Sequence, residues 1–171
     1  QVVFLCHVEL CGSIARSSTV TLRPRVQNFN REVLGTDEIV ALVVVAPDQQ
    51  CGEPCGKVKD VLGKLAGKMG HLMKFGTVLH SEQLPNPAED NELQSVGEIF
   101  GVVNKTEGTA TIPHLLVWES GPKLLNKVVS MPAQFVMQIM GKGPKSAWAQ
   151  LRNFVPSMVE TANTNKLEEW M

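Results

Sequence analysis

The strongest strand signal in the chain is the run Ile39-Val-Ala-Leu-Val-Val-Val-Ala46. An unbroken apolar stretch of this length, rich in β-branched residues, predicts a central strand buried on both faces. Other segments take their places around it. Thr19-Val-Thr-Leu22 is a short β-rich run stopped by Arg23-Pro24, and Asn28-Phe29-Asn30 opens a helix that Gly35 ends. After the central run, Pro47 to Cys55 reads as a loop entering a helix. Pro54 suits its first position, and Val58, Val61, Leu62, Leu65 and Met69 recur at three and four to make one apolar face. Gly63 and Gly67 weaken that helix by roughly 1 kcal/mol each relative to alanine. Phe75-Leu79 is the next strand, Pro85-Asn91 a loop, and Glu92-Phe100 a helix with Leu93, Val96, Ile99 and Phe100 inward. His114-Trp118 follows as a strand, then a turn at Glu119-Pro122 and a stretch broken at Pro132. Phe135-Met140 is predicted as the last strand and Ser146 to about Val159 as the final helix.

Alternating strands and helices that close on two successive strands imply an α/β domain, with a mixed central sheet and helices on both faces. The expected organisation is one domain over 19–159. The segment 1–18 is read as an extra edge strand or a signal-peptide remnant, and 160–171 as a tail or a link to a further domain.

Composition narrows the function classes. Hydrophobic residues make up 43% of the 171 and charged residues 19%, as in an ordinary globular domain. The formal net charge of −1 supplies no electrostatic footprint for nucleic acid or an anionic membrane. No apolar run approaches the ~18 residues of a membrane span. Asn104-Lys105-Thr106 is a glycosylation acceptor triplet, which makes Asn104 a modification candidate.

The four cysteines fall as two close pairs, Cys6 with Cys11 and Cys51 with Cys55. On a strand, Cys6 and Cys11 point to opposite faces, which disfavours a bond between them. For Cys51 and Cys55, with Gly52, Glu53 and Pro54 between them at a helix start, three readings stand. One is a working redox pair and another a structural disulfide that staples the loop. The third is a zinc site drawing on Cys6, His7, Cys11, Cys51 and Cys55, and it requires the N-terminal segment to fold over the helix start. No cofactor is implied. Trp118, Met131, Met137 and Met140 read as core, and His71 and His114 as surface or core groups.

Four features, in order, carry a resemblance. They are Leu22 followed by Asn28-Phe29, the strand ending Ala46-Pro47 before a cysteine pair, Thr111-Ile112-Pro113 before a strand, and the closing Gly141-Lys-Gly-Pro-Lys145 before a helix. Together, over roughly residues 19–156, they resemble the thioredoxin superfamily and within it the protein disulfide isomerase domains. The resemblance implies that Cys51 attacks, Cys55 resolves, and Ile112 with a cis Pro113 lines a groove for extended peptide. It also implies unfolded or disulfide-containing polypeptides as partners, an endoplasmic reticulum or secretory location, a chaperone role, and further thioredoxin-like domains in the full-length protein.

The sequence departs from the family at the site itself. Three residues separate the cysteines where the family has two, and Asp48-Gln49-Gln50 replaces the tryptophan expected before the first. Val43 falls where the family has a buried proton-relaying acid, and Lys145 where it has an arginine. Glu53 is expected to raise the thiol pKa, because a like charge disfavours the thiolate. Slow or altered redox chemistry follows. The alternative is a redox-inactive thioredoxin-fold module that binds clients or serves as a scaffold in a multidomain protein.

Overall fold

A computed structural model describes residues 29–86, 89–103 and 111–154, apart from the side chains of Asp48 and Phe154. Within these residues the predicted Asn104, the cysteines Cys6 and Cys11, and the segments 1–18 and 160–171 do not fall, so those expectations lie outside the described chain.

The element order is α1 (Asn30–Leu34, a single wide turn of helix), β1 (Ile39–Val45), α2 (Asp48–Met69), β2 (Met73–Leu79), β3 (Gln83–Asn86) and β4 (Glu92–Ser95). It continues with α3 (Val96–Ile99), β5 (His114–Trp118), β6 (Val129–Met131), α4 (Ala133–Met140) and α5 (Pro144–Phe154). Four strands form one mixed sheet in the order β2-β1-β5-β6, and β3 with β4 forms a separate hairpin. The strands β1 and β2 run parallel from Ile39↔Met73 to Val45↔Leu79, joined by the α2 crossover that parallel pairing requires. The other neighbours, β1 with β5 and β5 with β6, are antiparallel. This mixed sheet with helices on both faces is the α/β architecture expected, and it is consistent with a thioredoxin-like fold.

All seven residues of β1 are buried, as a strand covered on both faces demands. Alternate side chains serve different cores. Ile39, Ala41, Val43 and Val45 pack with α2 (Val58, Leu62, Leu65, Met69), α4 (Val136, Ile139, Met140) and α5 (Ala147, Trp148, Leu151). Val40, Leu42 and Val44 pack with Phe29 and Val33 of the α1 region, Val96 of α3, and Trp118. Trp118 meets Phe29 and Phe100 edge-on, at ring separations of 6.0 and 5.6 Å, and its indole N–H donates to Leu124 O at 3.2 Å. Trp118, Met131 and Met140 are core as expected, and Met137 packs partly against it.

Two expectations are corrected. Phe135–Met140 is helix, not strand. Pro132 stands at its N-cap, Gly141 closes it, and the residues it buries, Val136, Ile139 and Met140, are spaced three and four apart. Tertiary burial of that face overrides the β propensity of Phe, Val and Ile. The last strand is instead Val129–Met131, ahead of the proline. The second correction concerns residues 83–99. A hairpin pairs Gln83↔Ser95 through Asn86↔Glu92, so Pro85 and Asn86 lie in an edge strand, and Leu93 is 63% exposed instead of inward. The helix starts only at Val96, because Ser95 caps it: Ser95 Oγ accepts from Glu98 N at 3.2 Å, and the Glu98 carboxylate accepts from Ser95 N at 3.1 Å.

The two-sided core makes a direct prediction. Leu62→Ala, at a fully buried position of α2, is expected to cost about 2–5 kcal/mol. Leu93→Ala on the exposed hairpin should stay within about 0.5 kcal/mol. Urea midpoints of the oxidised protein measure both.

Candidate functional site

The strand β1 delivers the chain to Ala46-Pro47, where the backbone turns into α2. Pro47 is extended (φ −51°, ψ 145°), and its carbonyl accepts from Gln50 N at 2.8 Å and Cys51 N at 3.2 Å, closing one helical turn over Asp48–Cys51. Gly52 then breaks the helix with φ 54° and ψ −135°. A Cβ at this position would meet nothing within 4 Å, so the need for glycine is set by the backbone and not by space. Beyond the break the helix restarts, and Pro54 falls in its opening turn, where its missing N–H removes no bond. The helix start expected at Pro54 is thus the start of the main segment of α2, with one earlier turn in front of it.

A disulfide joins Cys51 to Cys55 across this break, with Cα atoms 5.6 Å apart. Its two sulfurs sit in different surroundings. Cys55 is wholly buried in the α2–α4–α5 core, whereas Cys51 is only partly buried against it. An exposed nucleophile therefore has access from the Cys51 side, while Cys55 is shielded.

The second expected feature is the loop before β5. The Ile112–Pro113 bond is cis, as the resemblance implied. Thr111 N and its hydroxyl both donate to Val102 O, at 2.8 and 3.3 Å, and so fix the loop entering it. Antiparallel register pairs His114 with Val44, so Pro113 comes level with Val45 at the end of β1 from which the cysteine helix departs. Pro113 is buried, and Ile112 is half-buried against both cores, including the one that holds Cys55. The fold thus gathers Cys51, Cys55, Ile112 and Pro113 at one end of the sheet.

His114 belongs to the other face. By alternation it lies with Leu116 and Trp118, opposite the core that holds the disulfide. Its Nε2 is 2.6 Å from Ser130 Oγ, and among the described residues its buried Nδ1 has no hydrogen-bond partner. Burial pushes the imidazole pKa below its ordinary value, with the Thr111 backbone pulling the other way. It is a core histidine and does not face the sulfurs.

Electrostatics at the pair differ from expectation in one respect. Glu53 is exposed and ion-paired with Lys57 at 2.7 Å, one helical turn on. The Lys57 ammonium, through its hydrogen bond first and its charge second, holds the Glu53 carboxyl below the usual carboxylate range. The carboxylate expected to oppose a thiolate is therefore partly neutralised. The spacing of four between Glu53 and Lys57 was the available sequence signal. Val43, where the family carries its acid, is wholly buried on the same face as Cys55. Among the described residues the buried polar or charged side chains are His114 and Lys123, so no buried carboxylate stands by to take a proton from Cys55. Lys145 is exposed at the start of α5. No group of three or more His, Cys, Asp or Glu among the described residues is placed to hold a metal ion. Nor is any described helix long and apolar enough to cross a membrane.

Comparison with protein-family models finds no match to this chain, and comparison with curated proteins finds none either. What is established is a Cys51–Cys55 pair in a helix that follows a strand, within a mixed α/β sheet.

Two outcomes follow from the local geometry. Gly52→Ala should cost about 1–3 kcal/mol through backbone strain alone, read as a fall in the denaturation midpoint with the disulfide intact. For His114, the unfolded ring binds its proton at a higher pH than the folded ring. Stability is therefore full above the unfolded value of about 6.5 and falls as pH drops through it toward the lower folded value. His114→Phe should flatten the pH 7 to pH 5 slope of unfolding free energy. An unchanged slope would contradict the assignment.

Proposed function

We propose that this chain is a protein disulfide isomerase-like thiol–disulfide oxidoreductase domain that acts on unfolded or disulfide-containing polypeptides through Cys51 and Cys55. The observation that carries the reading is the asymmetry of the disulfide: a partly exposed Cys51 and a wholly buried Cys55, bonded at a helix start. An attacking group and a resolving group need that difference in access.

A client thiolate attacks Cys51 Sγ along the S–S axis, and the Cys51–Cys55 bond breaks. Its electron pair goes to Cys55 Sγ, which takes a proton from solvent. A second client thiolate attacks the client sulfur of the mixed disulfide, forming the client's own disulfide and releasing Cys51 as thiolate. The client loses two electrons and the domain gains them. Reversal of these steps reduces a client disulfide. The helix start beyond Gly52 favours the Cys51 anion, since unpaired N–H groups and the helix dipole stabilise negative charge there. Ile112 and Pro113 would flank an extended client segment at the same end of the sheet. The wider inference from the resemblance, a chaperone-like domain in the endoplasmic reticulum lumen linked to further thioredoxin-like domains, belongs to this proposal.

A second reading has its own support. Burial of Cys55 with no buried carboxylate among the described residues slows proton transfer at the resolving sulfur. That favours a redox-inactive client-binding or scaffold module in which the bond only staples the Gly52 break.

Redox titration in glutathione buffers, with alkylation of free thiols and insulin reduction in parallel, separates the two. The oxidoreductase reading expects a reversible two-electron transition between about −120 and −270 mV with turnover. A pair that stays oxidised below about −300 mV, or free thiols without turnover, leaves the scaffold reading.

A further inference from the structure

At the end of the sheet away from the disulfide, the connection between β5 and β6 folds back over the strand ends. Val117 and Trp118, which close β5, pair with Ala41 and Val40 near the start of β1. Gly121 N donates to Asp37 O at 2.9 Å, pinning the connection to the segment that precedes β1. Between this connection and the edge strand β6 lies a half-open cleft of about 350 Å³, within the range of small-ligand sites. Pro122, Val128 and Val129 give it apolar surface, with the buried Val117 and Trp118 of β5 behind them. Its polar lining is Glu119, Ser120, Lys123 and Lys127.

Lys123 is the unusual member. Only 8% of it is exposed, and its ammonium donates to two backbone carbonyls, Thr36 O and Gly121 O, the second at 3.1 Å. An ammonium carries three donors, so one remains. Among the described residues no carboxylate forms an ion pair with it. Glu38 is bonded instead to Lys74 at 3.2 Å, and Asp37 acts on Lys123 only at longer range. A largely buried cation whose hydrogen bonds go to neutral carbonyls, with Asp37 and Glu38 acting on it only through their charge, has its desolvation incompletely offset, and an incoming anion gains most there. Burial lowers the Lys123 pKa from its ordinary value, while the carboxylates of Asp37 and Glu38 oppose the shift.

The charges lining the cleft sum simply. Lys123 and Lys127 are positive and Glu119 is negative, which leaves one net positive charge over apolar walls. We infer that the cleft bounded by Val117–Ser120 and Pro122–Val129 is a binding site for a small organic monoanion, a carboxylate carrying an apolar body about the size of one aromatic ring system. The carboxylate would lie between Lys123 and Lys127, with Ser120 able to donate and Glu119 rejecting dianions. The site is remote from the disulfide and does not rest on the redox reading.

The test is an amide-resolved NMR titration of the whole oxidised chain with indole-3-acetate and, separately, with the neutral indole-3-acetamide. Expected are saturating shifts confined to residues 117–129, with the acid bound about tenfold or more tightly than the amide, as a charge-assisted contact requires. Because Lys123 also ties Thr36 to Gly121, Lys123→Met disturbs the fold as well as the charge, so the deciding variant is Lys127→Met at an exposed position. It should keep the wild-type spectrum and lose most of the preference for the acid. The inference is overturned by shifts that do not saturate or fall elsewhere, by equal binding of acid and amide, or by a Lys127→Met protein that still prefers the acid.

Discussion

Every side chain of β1 is buried, and the rest of the molecule depends on how that strand divides them. Ile39, Ala41, Val43 and Val45 face the helices α2, α4 and α5, while Val40, Leu42 and Val44 face Phe29, Val33 and Trp118. One strand thus serves as floor for two cores. A slip of a single residue would exchange the two sets. With the register fixed by apolar burial, the end of β1 is fixed too, and it is there that the chain must turn through Pro47 into the cysteine helix. The cis Ile112–Pro113 bond is brought level with that end by the antiparallel pairing of β1 with β5. The site is a consequence of the core.

Local chemistry at the turn then sets the character of the pair. The break at Gly52 separates the cysteines into two helical segments, and Pro54 fits just after it. Cys55 is carried into the core by the same helical face as Val58 and Leu62, while Cys51 stays at its rim. Around them the polar surroundings are sparse. Val43 supplies no proton acceptor, His114 looks to the opposite face, and the nearest charged pair, Glu53 with Lys57, is exposed and internally balanced. On the proposed reading, these features favour attack at Cys51 over Cys55 and slow proton transfer at Cys55.

Much of this was legible in the sequence where burial and local chemistry agree. The run 39–46 announced a two-sided strand, the three-and-four spacing from Val58 to Met69 announced the helix, and Thr111-Ile112-Pro113 marked the turn that proved cis. Legibility failed where the two conflict. Phe135-Met140 has strand-like composition, yet its buried positions Val136, Ile139 and Met140 follow a helical period, and only packing against α2 and α5 decides between them. Glu92-Leu93 reads as an amphipathic helix until pairing with Gln83–Asn86 claims it, and the helix begins only after the Ser95 cap. The different burial of the two sulfurs was not readable either. It depends on where the Gly52 break points each side chain, and spacing alone does not encode that.

The central claim is that the fold makes one cysteine accessible and buries the other. Its most direct measurement is the alkylation rate of each thiol in the reduced, folded protein, followed by mass spectrometry of the Cys51- and Cys55-bearing peptides across pH. The account predicts that Cys51 is modified at least about a hundredfold faster than Cys55 at every pH. Equal rates, or faster modification of Cys55, would contradict it.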